Sequence, residues 1–225
     1  DTITSTSATI TRNGGEAGFT NIERLEVHTF GGDDNVTLAV TGSVSKYVDA
    51  GDGDDVVDAS AANDGTLIGG AGDDTLTGDG SANVLDGMGG ADTLTGGGGG
   101  DVFEYYVSSD SNQTDGVDNI TDFQPGVDKL LLGDADGYSY DGTAYTYAGT
   151  VAATVSDIAT HAASDQIYFF QDGTDGYVYV KGAGTDFSDH DSTLIRLDGI
   201  TTPIAAADFA KGVVDTSYGA GDGVE

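Results

Sequence analysis

The chain has no cysteine and no tryptophan, one methionine and two prolines. Without thiols there is no disulfide framework, no cysteine nucleophile and no cysteine zinc site. Basic residues are nearly as scarce: seven Lys and Arg face 39 Asp and Glu, a formal charge of −32 over 225 residues. A field of that sign repels polyanions, so neither nucleic-acid binding nor insertion into an anionic membrane is expected. No apolar run approaches the roughly 18 residues of a membrane span. No basic stretch followed by an apolar one opens the chain, and the only methionine is Met88. The sequence is therefore expected to be a piece of something longer, with room for one or two domains.

Glycine and aspartate are abundant instead. Glycine supplies 37 residues, about twice the usual fraction. The acids are 34 Asp and only five Glu. Either acid would serve on a merely solvating surface. Asp has the shorter arm, tolerates turn geometry and bonds its own backbone, so an Asp-only excess points to carboxylates set in tight turns. Oxygen-ligand cation sites need that placement. A halophilic surface or a disordered acidic tail would show no order in where the acids fall.

Order is present. Four nine-residue blocks run without a gap from Gly69 to Glu104: GGAGDDTLT, GDGSANVLD, GMGGADTLT and GGGGGDVFE. Their sixth positions hold Asp74, Asn83, Asp92 and Asp101, and their eighth hold Leu76, Leu85, Leu94 and Phe103. Upstream, AGDGDDVVD (Ala50 to Asp58) fits with Asp55 sixth, and TFGGDDNVT (Thr29 to Thr37) fits loosely with Asp34 sixth. A degenerate unit around SAANDGTLI puts Asp64 near the acidic position. The glycine-rich half of a block can take positive φ and turn carbonyls inward. The other half, such as Asp74-Thr75-Leu76-Thr77, is a short strand with one buried side chain. One such side chain per block is a thin core, and only stacking of neighbours makes it continuous.

These blocks resemble the calcium-binding nonapeptide of the RTX (repeats-in-toxin) family, G-G-x-G-x-D-x-U-x, which Gly69 to Thr77 matches at every fixed position. The resemblance implies an all-β parallel β-roll in which two nonapeptides make one coil and Ca²⁺ lies between turns two repeats apart. Asp74 to Asp92 and Asn83 to Asp101 are both 18 residues apart, and Asp55 to Asp74 is 19. One column would then hold Asp34, Asp55, Asp74 and Asp92, and the facing column Asp64, Asn83 and Asp101. By the same resemblance Asp52, Asp54 and Asp73, with carbonyls of Gly70, Gly72, Gly87, Gly89, Gly96 and Gly98, complete the shells. Asn83 lacks a carboxylate, so its site is expected to be weaker or vacant. Two carboxylates about 4 Å apart repel by roughly 4 kcal/mol at an effective dielectric near 20. Several such pairs rival a domain's whole stability of about 5–15 kcal/mol. Folding of residues 50–104 is therefore expected to depend on the ion.

The flanks read differently. Residues 1–48 alternate as strands and are expected to be imperfect coils of the same solenoid. Residues 49–104 are the roll. Sixteen of the 19 Phe and Tyr follow Gly100, so residues 105–225 are expected to be a β-rich C-terminal cap. DNITDFQPGVDKLLLG (Asp118 to Gly133) resembles the segment that follows the roll in serralysin-type C-terminal domains. Asp118 and Asp122 stand there either as caps of the last roll site or as plain turn and strand-end residues. A Tyr-rich hairpin over Tyr138 to Tyr147, a short helix capped by Ser156 and a hairpin around Asp172 to Gly176 are expected next. STLIRLDGI and ADFA resemble the final strands of RTX C-termini, which carry a type I secretion signal, though the tail after Lys211 departs from the usual apolar ending.

No catalytic motif appears. His28, His161 and His190 are isolated, there is no H-E-x-x-H and no G-x-S-x-G, and the paired Asp residues fall at repeat positions five and six. A non-enzymatic module is expected. The family resemblance implies a large bacterial parent exported by a type I apparatus to the cell surface or beyond. An adhesin or surface-layer protein, meeting other subunits or a polysaccharide, is one parent. The C-terminal module of an extracellular protease, lipase or alginate epimerase is another, and a carbohydrate-binding module a third.

Overall fold

The computed structural model describes residues 8–12, 15–19, 24–39, 44–106, 110–111, 116–133, 146–161, 166–181 and 192–210. In chain order the strands are β1 (Ala8–Arg12), β2 (Gly15–Phe19), β3 (Arg24–His28), β4 (Asn35–Leu38), β5 (Ser45–Asp52) and β6 (Val56–Asp58). The repeats follow as β7 (Thr66–Ala71), β8 (Thr75–Thr77), β9 (Val84–Gly89), β10 (Thr93–Thr95) and β11 (Val102–Tyr105). Then come β12 (Asp118–Ile120), β13 (Lys129–Leu132), helix α1 (Val151–His161), β14 (Gln166–Gln171), β15 (Gly176–Lys181), β16 (Thr193–Leu197) and β17 (Phe209–Ala210).

The chain alternates between two sheets as it winds. One runs β3-β5-β7-β9-β11-β13-β17, all parallel. In the other, β4, β6, β8, β10, β12 and β16 are parallel neighbours. This is a parallel β-roll. Its periodicity follows from the blocks: each short strand turns one apolar side chain inward, and the next coil sets another directly upon it. One ladder is Val36, Val57, Leu76, Leu94, Ile120 and Leu197. The facing ladder is Val48, Leu67, Leu85, Phe103 and Leu130, ending on Phe209. The two meet in one cluster, where each fully buried rung contributes roughly 1.5–3 kcal/mol.

The N-terminal segment contains both winding strands and a hairpin. Strands β3, β4 and β5 join the parallel sheets, but β1 and β2 form an antiparallel hairpin, and β1 pairs antiparallel with β4 (Ile10 opposite Leu38). Parallel winding stops there because a hairpin reverses the chain within a few residues. Asn13-Gly14, the dipeptide between the two strands, is a hairpin signal. At the other end both sheets pass residue 104 without a break, as β12 and β13 lie in register on β10 and β11. The hairpin β14–β15 then joins the longer sheet, antiparallel to β16. Phe170 stacks on Tyr177 at 5.1 Å, and α1 packs Val155 and Ile158 into the same small cluster. The helix begins five residues before Ser156. Its cap is Thr150, whose Oγ1 accepts the amide of Ala153 at 3.0 Å, so Ser156 is an exposed mid-helix residue. Residues 138–145 of the expected Tyr hairpin and the tail after Ala210 lie outside the described residues. No described helix is long and apolar enough to cross a membrane.

Candidate metal columns

Each sixth-position Asp folds into its turn and accepts the main-chain amide of the sixth residue one coil earlier. Asp34 N–H donates to Asp55 Oδ1 (2.6 Å), Asp55 N–H to Asp74 Oδ1 (2.8 Å), Asp74 N–H to Asp92 Oδ1 (2.8 Å) and Asp92 N–H to Asp118 Oδ1 (2.9 Å). Five carboxylates thus form one column, all buried. A hydroxyl closes it: Ser111 Oγ accepts the Asp118 amide at 2.8 Å and donates to the Leu194 carbonyl.

The second oxygen of these groups decides the chemistry. Oδ2 of Asp55, Asp74, Asp92 and Asp118 is buried and has no hydrogen-bond partner among the described residues. An unpartnered buried carboxylate oxygen costs free energy unless something positive meets it. Glycine provides the space: a Cβ on Gly87 would stand 2.1 Å from Asp92 Oδ2, and one on Gly69 2.2 Å from Asp74 Oδ2. The turns also stack backbone on backbone, since a Cβ on Gly70 would meet the Gly51 carbonyl at 1.9 Å. Bare oxygens, carbonyl-lined bends and paired carboxylates are a donor set for a hard cation such as Ca²⁺. Among the described residues no three His, Asp or Glu side chains converge as a cage, so an ion would be shared between carboxylates of consecutive coils and main-chain carbonyls.

The proton equilibria carry the same message. Burial, with neighbouring carboxylates, pushes Asp74 up to about 7 and Asp92 up to about 6. Burial raises Asp55 as well, and holds Asp118 well above the usual carboxylate range.

The peptidase M10 serralysin C-terminal family model matches residues 25–141, just over half of the chain. The chain belongs to that family. No curated protein matches it. Among solved structures it is similar to two subunits of the Azotobacter vinelandii mannuronan C5-epimerase, both determined in solution. AlgE6R3 is 22% identical over 88% of this chain and 87% of that one, with a TM-score of 0.40. AlgE6R2 is 24% identical over 83% and 88%, with a TM-score of 0.39. The family's RTX-type calcium-binding roll is the architecture built by the two ladders.

Within this family member, the expected ligands fall into three groups. Asp34, Asp55, Asp74, Asp92 and Asp118 share the first column. Asn83 and Asp101 share the second, where the Asn83 amide donates to Asp101 Oδ1 at 2.8 Å. The second column continues to Asp128, whose Oδ1 accepts the Asp101 amide at 3.0 Å and whose Oδ2 accepts that of Gln124 at 2.7 Å. Burial pushes Asp101 up to about 6, and its Oδ2 is unpartnered among the described residues. A rim forms the third group: Asp54 Oδ1 accepts the Asp73 amide and Asp73 Oδ1 that of Ala91. Asp122 clamps the neighbouring turn through the amides of Gly96 and Gly97.

Several positions are placed elsewhere. Asp64 is exposed, and Gly65 rather than Asp64 stands in register with Asn83, because Thr66 pairs with Val84. The inserted residue of that unit falls before position 65 and shifts the carboxylate out of line. Asp52 is exposed and meets the coil below through its main chain, its carbonyl accepting the Gly32 amide. The Gly89 carbonyl accepts the Gly72 amide at 2.8 Å, the Gly98 amide donates to the Asp79 carbonyl, and the Gly96 carbonyl receives Asn83 Nδ2 at 3.5 Å. Three residues were missed. Asp128 lies 27 residues after Asp101, three blocks where column members stand two apart, so the period gave no signal for it. Ser111 and Tyr105 had none either. Tyr105 falls in register with Gly87 and is fully buried, its phenol raised well above the usual value by burial and by Asp118, Asp92 and Asp86. Of the histidines, His28 Nδ1 lies 3.3 Å from Asp49 Oδ2; the side chains of His161 and His190 lie outside the described residues.

Proposed function

We propose that the chain is a calcium-loaded, non-catalytic module of a large exported bacterial protein, and that the ion converts it from a self-repelling chain into a rigid extracellular roll. The observation that carries this reading is the row of buried, unpartnered Oδ2 atoms on Asp55, Asp74, Asp92 and Asp118. Bound between coils, Ca²⁺ would supply the positive charge that those oxygens face. The residues do the rest. Oδ1 of each Asp holds the coil before it, the glycine bends bring carbonyls alongside, and the apolar ladders set the coil spacing. Where calcium is scarce the same charges keep the chain open, which suits passage through a type I apparatus. Where calcium is abundant the coils close. Residues 49–104 are then the ion-dependent part, residues 1–48 its lead-in and residues 105–225 a cap that gives the last coil a partner.

An adhesin or surface-layer parent suits a stiff solenoid with further coils. The family's name favours a second reading, in which the module ends an extracellular metalloprotease. A glycan array read with and without Ca²⁺ tests the carbohydrate-binding alternative. The test of the main reading is a calcium titration of chelator-treated protein followed by circular dichroism. Strand signal should appear with the ion and vanish on chelation. A strand signal indifferent to chelator overturns it.

A further inference from the structure

Lys46 is the anomaly of the roll. In a chain with so few bases, its side chain is only 1% exposed. It lies on β5 just before Tyr47, which pairs with Thr66, so Lys46 stands opposite Gly65. Gly65 stands opposite Asn83, Asn83 opposite Asp101 and Asp101 opposite Asp128. Lys46 is therefore the second column's own member one coil before Gly65. Its stem passes over the glycine, where an added Cβ would meet Lys46 Cβ at 3.3 Å. Its ammonium donates to the Asp64 carbonyl at 3.1 Å and lies 3.8 Å from Asp64 Oδ1, with Asp79 of the next coil adding attraction.

The ammonium thus meets a turn carbonyl and one carboxylate at ion-pair distance, and it feels the charge of a second carboxylate on the following coil. It occurs where the column has no sixth-position carboxylate on either side, since Gly65 and Asn83 hold those places. The neighbouring donor is also internal. Asn83 Nδ2 bonds the Ser81 carbonyl at 2.7 Å and Asp79 Oδ1 at 3.0 Å. We propose that the Lys46 ammonium is a tethered cation that takes the place of a Ca²⁺ at the N-terminal end of the second column, so that this end of the roll is neutralised by the chain itself. The inference rests on reading the columns as calcium sites. It makes the two columns unequal: the first depends on ions along its length, and the second only from Asn83 onward.

Two measurements on the full chain test it. In crystals of the calcium-loaded protein, anomalous density should mark ions between Asp74 and Asp92 and none within about 4 Å of Lys46 Nζ. An ion at Lys46 overturns the proposal, whereas no ion anywhere overturns the calcium reading itself. In solution, Lys46→Met keeps the stem and removes the charge. It should raise the Ca²⁺ concentration at the folding midpoint at least threefold over wild type, with Lys46→Arg restoring it. Arg24→Gln, an equal charge loss at an exposed site, should leave the midpoint in place. If Lys46→Met behaves like Arg24→Gln, or if Lys46→Arg fails as badly as Lys46→Met, the ammonium has no such role.

Discussion

The roll and the C-terminal region proposed as its cap solve one problem in opposite ways. In the roll each short strand gives one inward rung, such as Leu76 or Leu94, while the turn beside it buries a carboxylate with an open oxygen. In the cap, Phe169, Phe170, Tyr177, Val178, Leu194 and Ile195 crowd a few strands, and the charges near them are already matched. Arg196 holds Asp175 at 2.8 Å and Asp198 at 2.9 Å. Turn amides of Thr174 and Asp175, the former with its hydroxyl, bring Asp172 down to about 2. Folding that relies on side-chain burial needs nothing from outside. Folding that relies on stacked carboxylates needs a cation under the function proposed above.

The largest expected effect is removal of calcium. Excess chelator should abolish amide-exchange protection in β6 to β10, with the β14–β16 hairpin region losing protection later in the titration. Simultaneous loss everywhere would merge the two regions into one cooperative unit. Next in size is truncation of a rung: Phe103→Ala, at the join of roll and cap, should cost about 3–5 kcal/mol in denaturant unfolding of the calcium-loaded protein. Gly87→Val places side-chain atoms where Asp92 Oδ2 now lies, and it should remove one bound ion by calorimetric count while leaving the cap's aromatic signal intact.

The pH response separates the states further. Asp74 and Asp92 are raised on folding, from 3.8 to about 7 and about 6. A carboxyl raised in the fold stabilises it while protonated; that contribution is complete below its ordinary value and fades as pH climbs through 6 to 7. Chelated protein should therefore gain strand signal as pH falls from 8 to 5. Calcium-loaded protein should lose affinity over the same range, because protons compete for the same oxygens. The smallest effect is expected at the cap's surface, where Arg196→Ala should cost up to about 1 kcal/mol by thermal melting. A larger loss would show that this half-exposed ion pair matters to the cap more than its burial implies.

Much of the candidate site was legible because a nine-residue period states both the rung and the carboxylate. Asp55, Asp74, Asp92 and Asp101 stand where counting put them. Counting failed where the period slipped. Asp64 lies one residue out of line, and Asp118 follows Asp92 by 26 residues, so only strand pairing could seat it in the column. The hairpin of β1 and β2 was missed because alternating Thr and Ile suits a parallel coil and an antiparallel edge equally well.

Glycine spacing and the choice of Asp over Glu were enough to dictate a winding strand–turn coil with oxygen-lined bends, since those preferences act within a few residues. That Asp118 and Asp128 extend the columns, that Ser111 ends the first and that a lysine lies inside the second depended on contacts between coils about 20 or more residues apart. Register between strands is a property of the assembled sheets, and no local stretch of chain contains it.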